Sequence, residues 1–234
     1  MSAHRPRHRA SGLTLIELLV VIGVLAFFFV MIFPALYSAS TWHGKKGRIL
    51  CVANLKEIGV AIRTGPELED SKYPWQKAEG DKISIQTILT NSATMKLVTN
   101  GSAYLLWQAL SNSLASPSSL YCLDDRHRKA AQSFSQGFSN ANISYFFNLD
   151  ALATYPQLIL AGDRNVSMAA RPGLLTISSN SVVGWTRTEL HRGVGNLLMA
   201  DGSCQQLTSN GLNQAFAEAF SASTNITASR LVIP

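Results

Sequence analysis

From Leu18 to Gly44 the chain carries no Asp, Glu, Lys or Arg, and Leu18 to Leu36 is almost wholly apolar. At about 1.5 Å per helical residue, those nineteen positions span roughly 28 Å, close to the hydrocarbon thickness of a bilayer. The run therefore predicts a membrane-crossing helix. The twelve residues before it, MSAHRPRHRASG, hold Arg5, Arg7 and Arg9 and no acid, whereas all fourteen acidic residues lie beyond them. A basic flank stays cytoplasmic, so one crossing and an exported domain are expected. The formal charge of +6 is thus not one surface: past the leader, seventeen basic residues face fourteen acidic ones. No Lys/Arg run with interleaved aromatics follows, so a dedicated nucleic-acid groove is not expected. A composition 47% hydrophobic and 15% charged argues against disorder.

Three fates are open to this segment. It could stay as a plain anchor. It could be a secretory signal cut near Ser38-Ala39-Ser40, although the apolar stretch exceeds the usual core of about 7–15 residues. The third fate accounts for two further details. Glu17 places a carboxylate at the head of the apolar helix, where it would cost about 2.5–3.5 kcal/mol if drawn to mid-bilayer. Gly12 ends the basic segment five residues earlier.

Together these residues stand in SGLTLIELLVVIGVLAFF, which resembles the class III leader junction of type IV pilins and type II secretion pseudopilins. The resemblance implies cleavage after Gly12 by a prepilin peptidase and methylation of the new amine at Leu13, a position where Phe or Met is usual. Glu17 becomes the fifth mature residue, and its implied partner is the charged N-terminus of the neighbouring subunit, which neutralises a carboxylate in apolar surroundings. Pro34 falls at mature position 22, where a proline is common in these helices and a kink is expected.

Beyond the membrane, Cys51, Leu55, Ile58 and Ile62 recur at i, i+4, i+7 and i+11, the stripe of a helix laid on a globular head. Gly65-Pro66 ends it. A helix from Leu13 to about Thr64 would run roughly 75 Å. The organisation expected is a leader (1–12), a transmembrane and stalk helix (13–64) and an exported head (65–234). In the head, short helices are predicted at Asp81–Thr90 and Ala103–Leu110, with loops at Gly65–Gln76 and Ser111–Ser119. Strands are predicted near Ile143–Asn148, Gln157–Ala161, Leu174–Ser178 and Val182–Thr186. Asn196–Ala200 and Ser203–Leu207 flank Asp201-Gly202, a pairing that predicts a hairpin with a type I′ turn. Asn213–Ser221 reads as a small amphipathic helix. The fold class is α+β, a long N-terminal helix packed on a small antiparallel sheet.

His191 stands ten residues before Asp201, giving H-x9-D-G in HRGVGNLLMADGS. The head here resembles the prepilin-type proteins named for that H-X9-DG element. CVANLKEIG from Cys51, Cys122 followed by Asp124 and Asp125, and Ala161-Gly162-Asp163 in LILAGDR agree with them. One His and one Asp do not make a zinc or calcium site. The expected role is structural: Asp201 supplies the turn and His191 hydrogen-bonds across the hairpin, with Asp124, Asp125 and Asp163 structural too. No cofactor is expected. Pseudopilin heads can bind calcium; this one lacks a dense Asp/Asn loop, which leaves a calcium site as the lesser alternative.

Three cysteines allow one internal disulfide. A Cys51–Cys122 bond would staple the stalk to the head and leave Cys204 over; the alternative is three buried thiols. No G-x-S-x-G, phosphate loop or dinucleotide fingerprint occurs. Asn142, Asn165 and Asn225 fit the glycosylation pattern, as chance allows in a chain rich in Ser and Thr.

The function expected is therefore a structural subunit, not an enzyme, of a type II secretion or type IV pilus-like apparatus. It would lie single-pass in a bacterial inner membrane, head outside. Its partners would be the prepilin peptidase, other pilin-like subunits, an inner-membrane assembly platform and a cytoplasmic ATPase. One rival is a membrane-tethered module that binds a glycan or surface ligand through Trp75, Trp107 and Trp185 and never polymerises. Another is an exported hydrolase using His191 and Asp201.

Overall fold

The computed structural model describes residues 14–64, 96, 98, 100–168, 172–222 and 226–234, and within the first helix it leaves the side chains of 34–46 undescribed. Helix α1 (Leu15–Thr64) contributes to two compact units, Met1–His43 and Gly44–Pro234.

In the first unit, Leu15–Phe33 has a mean hydropathy of 3.0 and none of it is buried. Its start is capped from within. The backbone N–H of Thr14 donates to Glu17 Oε2 (2.9 Å) and that of Glu17 donates to Thr14 Oγ1 (3.3 Å). This T-x-x-E pair is a capping box, in which each side chain satisfies an N–H that the first helical turn leaves free.

The second unit is built on a six-stranded sheet of β1 (Tyr145–Asn148), β2 (Ile159–Asp163), β3 (Gly173–Ser178), β4 (Val194–Met199), β5 (Cys204–Thr208) and β6 (Ala228–Ile233). The strand order is β3-β6-β1-β2-β4-β5 and every pairing is antiparallel. Successive side chains point to opposite faces, and both faces are covered. Tyr145, Phe147, Leu198 and Val232 pack with Cys51, Leu55, Ile58 and Ile62 of α1 and with Trp107 of α2 (Tyr104–Ala109). Phe146, Leu197, Met199, Leu231 and Ile233 pack instead with Leu212, Ala215 and Phe216 of α3 (Ser209–Ala222). That double cover is why β1 is buried at all four positions rather than at alternate ones. The α+β class and the helix-on-sheet head are as expected, and the α1 stripe is fully buried.

Four expectations change. Val182–Thr186 is not a strand but keeps a single bridge, Val166 to Trp185. The Asn213 side chain takes the place of a ladder partner, accepting from the N–H of Val183 (2.9 Å) and donating to its carbonyl (2.5 Å). Next, α3 starts at Ser209, four residues early. Thr208 accepts from the N–H of Gly211 (3.3 Å), so Ser-Asn-Gly forms a capped first turn. The strand β6 was not foreseen. It is a terminal Arg-Leu-Val-Ile run that pairs with β3 and β1, far away in sequence. Lastly, β4 and β5 are linked by Ala200-Asp201-Gly202-Ser203, with the N–H of Met199 donating to the Ser203 carbonyl (2.8 Å) and that of Gly202 to the Met199 carbonyl (2.9 Å). Gly202 has φ +87 but Asp201 stays at negative φ, so this is a turn closed by a glycine bulge, not type I′.

Of the remaining expectations, 111–119 holds a 3-10 turn at its end (Pro117–Leu120). The predicted Asp81–Thr90 helix and Gly65–Gln76 loop lie outside the described residues.

Candidate functional site

Two places in the chain concentrate chemistry: the N-terminal segment and a buried polar centre in the head. Gly12 and Leu13 lie outside the described residues. Pro34 lies within α1, and its side chain is outside the described set. Glu17 occupies the third helical position and holds Thr14, as given above. The T-x-x-E spacing in the sequence carries that role, which neither a headgroup-level nor an intersubunit reading of Glu17 includes.

Residues 7–33 match the family model described as the prokaryotic N-terminal methylation motif. This chain carries a prepilin-type methylation motif. The motif supports a type IV pilin-like precursor, and it implies prepilin peptidase processing and pilin-like assembly in general. The match takes in Leu15–Phe33, the exposed apolar part of α1, which is long and apolar enough to cross a membrane and fits a single-pass anchor. No curated protein and no solved structure matches the chain.

In the head, residues scattered through the sequence between Gly47 and Asn196 come together around His191. Cys51 of α1 is joined to Cys122 by a disulfide with Cα atoms 5.5 Å apart. His191 Nδ1 lies 2.9 Å from Asp124 Oδ2, while Nε2 lies 3.5 Å from Cys122 Sγ and 3.4 Å from Asp163 Oδ2. Asp163 Oδ2 also accepts from the N–H and side chain of Asn196 on β4 (2.7 and 2.9 Å). Beside them Asp125 and Arg164 form a buried two-pronged pair (2.7 and 2.8 Å), and Glu189 lies 3.4 Å from Arg164. Gly47 completes the wall, since a Cβ there would overlap the Asp124 carboxylate. Arg164, Glu189, Asn196 and Gly47 carried no sequence signal that singled them out.

A local backbone feature aims the ring. His191 and Arg192 have φ of +45 and +53, and Gly193 follows at +88. Left-handed conformation is uncommon for residues other than glycine and persists where the surroundings fix it. Here the fixing groups are Asp124 and the packed disulfide.

The charge state follows from the geometry. With its Nδ1–H donated to Asp124, His191 presents Nε2 as an acceptor, and the partner facing it is Asp163. Burial pulls His191 below its ordinary value, with Asp124 and Asp125 opposing and Arg48 assisting. Burial also pushes Asp163 up to about 8, although both Asn196 hydrogen bonds favour its ionised form and Asp125 and Asp124 disfavour it. The pair is a neutral imidazole beside a protonated carboxyl rather than a salt bridge.

His191 therefore does not bond across its hairpin. It sits before β4 and Asp201 after it, and six strand residues at about 3.3 Å each put roughly 20 Å between them. Asp201 does supply the turn: its Oδ1 accepts from the N–H of Ser203 (2.7 Å), and its carbonyl takes a hydrogen bond from Arg63 near the end of α1. The hydrolase pairing of His191 with Asp201 thus has no geometric basis. Trp107 and Trp185 are buried, so neither offers the tethered-module rival an aromatic contact; Trp75 lies outside the described residues. Cys204 is a free, half-buried thiol that burial pushes up to about 11. Asn165 is fully buried, which removes it as a glycan acceptor, and Asn225 lies outside the described residues.

Proposed function

We infer that the chain is a pseudopilin-like structural subunit of a type II secretion or type IV pilus-like apparatus. The observation that carries this reading is the methylation motif at residues 7–33, laid over an apolar helix with no buried face. Such a surface is stable only in lipid or against like helices. A precursor of this kind uses both in turn, lipid before assembly and neighbouring helices after it.

In this reading the leader stays cytoplasmic, the head is exported, and a prepilin peptidase cuts after Gly12 and methylates Leu13. Glu17 then exchanges its capping role for the amine of the next subunit, or serves both, since a carboxylate has two oxygens and about four acceptor sites. The head's contribution is a rigid body. The Cys51–Cys122 disulfide and the Arg63 contact to the hairpin tie the end of α1 to the rest of the second unit, and His191 packs beside the disulfide. An assembly platform and a cytoplasmic ATPase would be its machinery. It is a peptidase's substrate and performs no catalysis of its own. The chemistry of the mature N-terminus is the direct test.

A further inference from the structure

The disulfide, His191 and Asp163 have a geometry that a simple staple does not require. Cys51 Sγ, Cys122 Sγ and a His191 ring nitrogen all lie within 4.8 Å of one another. In a tetrahedral zinc site with Zn–S near 2.3 Å and Zn–N and Zn–O near 2.0 Å, a sulfur–nitrogen edge is about 3.5 Å and a nitrogen–oxygen edge about 3.3 Å. His191 Nε2 stands 3.5 Å from Cys122 Sγ and 3.4 Å from Asp163 Oδ2. We propose that the dithiol form of the head binds one thiophilic divalent cation of the zinc class, held by Cys51, Cys122 and His191 Nε2, with Asp163, 3.4 Å from that nitrogen, closing the fourth position once the two sulfurs separate.

Two independent features point the same way. Metal-bound imidazoles almost always donate their other ring N–H to a carboxylate or carbonyl, and His191 Nδ1 has Asp124 at 2.9 Å. Asp163 is fully buried; its Oδ2 faces Nε2 and accepts from Asn196, while its Oδ1, the other oxygen of the same carboxyl, has no hydrogen-bond partner among the described residues. An orphaned carboxylate oxygen in a core is costly unless something is meant to meet it. The ligands come from α1, the 122–125 segment, β2 and the turn before β4, so the ion would join the same elements as the disulfide does.

The two states exclude each other. Reducing the bond adds two electrons and two protons to the sulfurs, and metal binding then displaces those protons as the thiolates coordinate. Before the disulfide forms, the ion would hold the newly exported head together. Thiol–disulfide exchange with an oxidant disulfide, which takes the two electrons and two protons and leaves as a dithiol, would release the ion and leave the covalent staple.

The test uses the full-length chain in detergent. A phosphine reduces the disulfide, supplying the electron pair and becoming its oxide with oxygen from water, and cobalt(II) is the probe. The reduced chain should bind one cobalt per chain, with tetrahedral visible bands and a thiolate-to-cobalt charge-transfer band that leader histidines cannot give. The oxidised chain should give neither. Asp124→Asn leaves all four ligands and should weaken binding about 10–100-fold, Cys122→Ser should abolish the charge-transfer band's full intensity, and Cys204→Ser should change nothing. If reduction loosens the head, zinc should restore its near-ultraviolet dichroism. Failure of a reduced chain to take up stoichiometric cobalt, or to regain structure with zinc, would overturn the proposal, as would binding indifferent to His191→Ala.

Discussion

The Nδ1 nitrogen of His191 meets the Asp124 carboxylate at 2.9 Å across 67 residues of chain. That contact explains a glycine. Gly47 faces Asp124 so closely that a methyl group would displace the carboxylate. Alanine at a helix interior ordinarily gains about 1 kcal/mol over glycine. Gly47→Ala should instead lose roughly 1–3 kcal/mol, because overpacking and a broken Asp124–His191 bond outweigh propensity. Thermal unfolding of the head within the full chain checks this, and a rise in Tm would sink it.

The neutral His191–Asp163 pair makes a pH prediction for the disulfide-bonded form. Asp163 holds its proton in the folded head up to about pH 8 but loses it near 4 when unfolded. Its contribution is therefore largest at low pH and fades as pH rises toward 8. The lowered His191 acts oppositely, losing stability as pH falls below about 6.5, so the two slopes oppose each other beneath that value. Between about pH 6.5 and 8 only the Asp163 slope remains, and wild-type stability should drop by about 2 kcal/mol. Asp163→Asn, which can still accept from Asn196 and donate to His191, should flatten that decline. An unchanged slope in the variant would mean that Asp163 is ionised in the fold.

The disulfide closes a loop with a sequence separation of 71. Chain entropy assigns such a closure about 4 kcal/mol. Without metal, Cys51→Ala with Cys122→Ala should lower Tm on the order of 10 °C, whereas Cys204→Ser should move it little.

Glu17 separates two roles that one residue could fill. Glu17→Gln keeps the hydrogen bonds of the capping box but removes the charge; Glu17→Ala removes both. Both variants should insert in the membrane and neither should assemble, as judged by cross-linking of subunits in cells. Assembly by Glu17→Gln at the wild-type level would assign Glu17 to helix capping alone.

What the sequence made legible was local. The α1 stripe and strands β1, β3, β4 and β5 follow from periodicity and from Asp-Gly, because helix and strand periods are set within a few residues. Val182–Thr186 and β6 depended on partners elsewhere, Asn213 in one case and β1 with β3 in the other. The His191 centre was half legible. Cys51, Cys122, Asp124, Asp163 and His191 each stood out, yet their convergence depends on how the 122–125 segment folds against β2, and no spacing encodes that. H-x9-D-G suggested a pair; it marks instead the two ends of one strand.

The central claim is prepilin processing, and the mature N-terminus tests it most directly, by intact mass and terminal-peptide mass spectrometry on protein from its native membrane. The account predicts a chain beginning at N-methylated Leu13. A start at Thr41 would indicate ordinary signal cleavage and a free head, and an unprocessed start at Met1 would leave a plain anchor; either contradicts it.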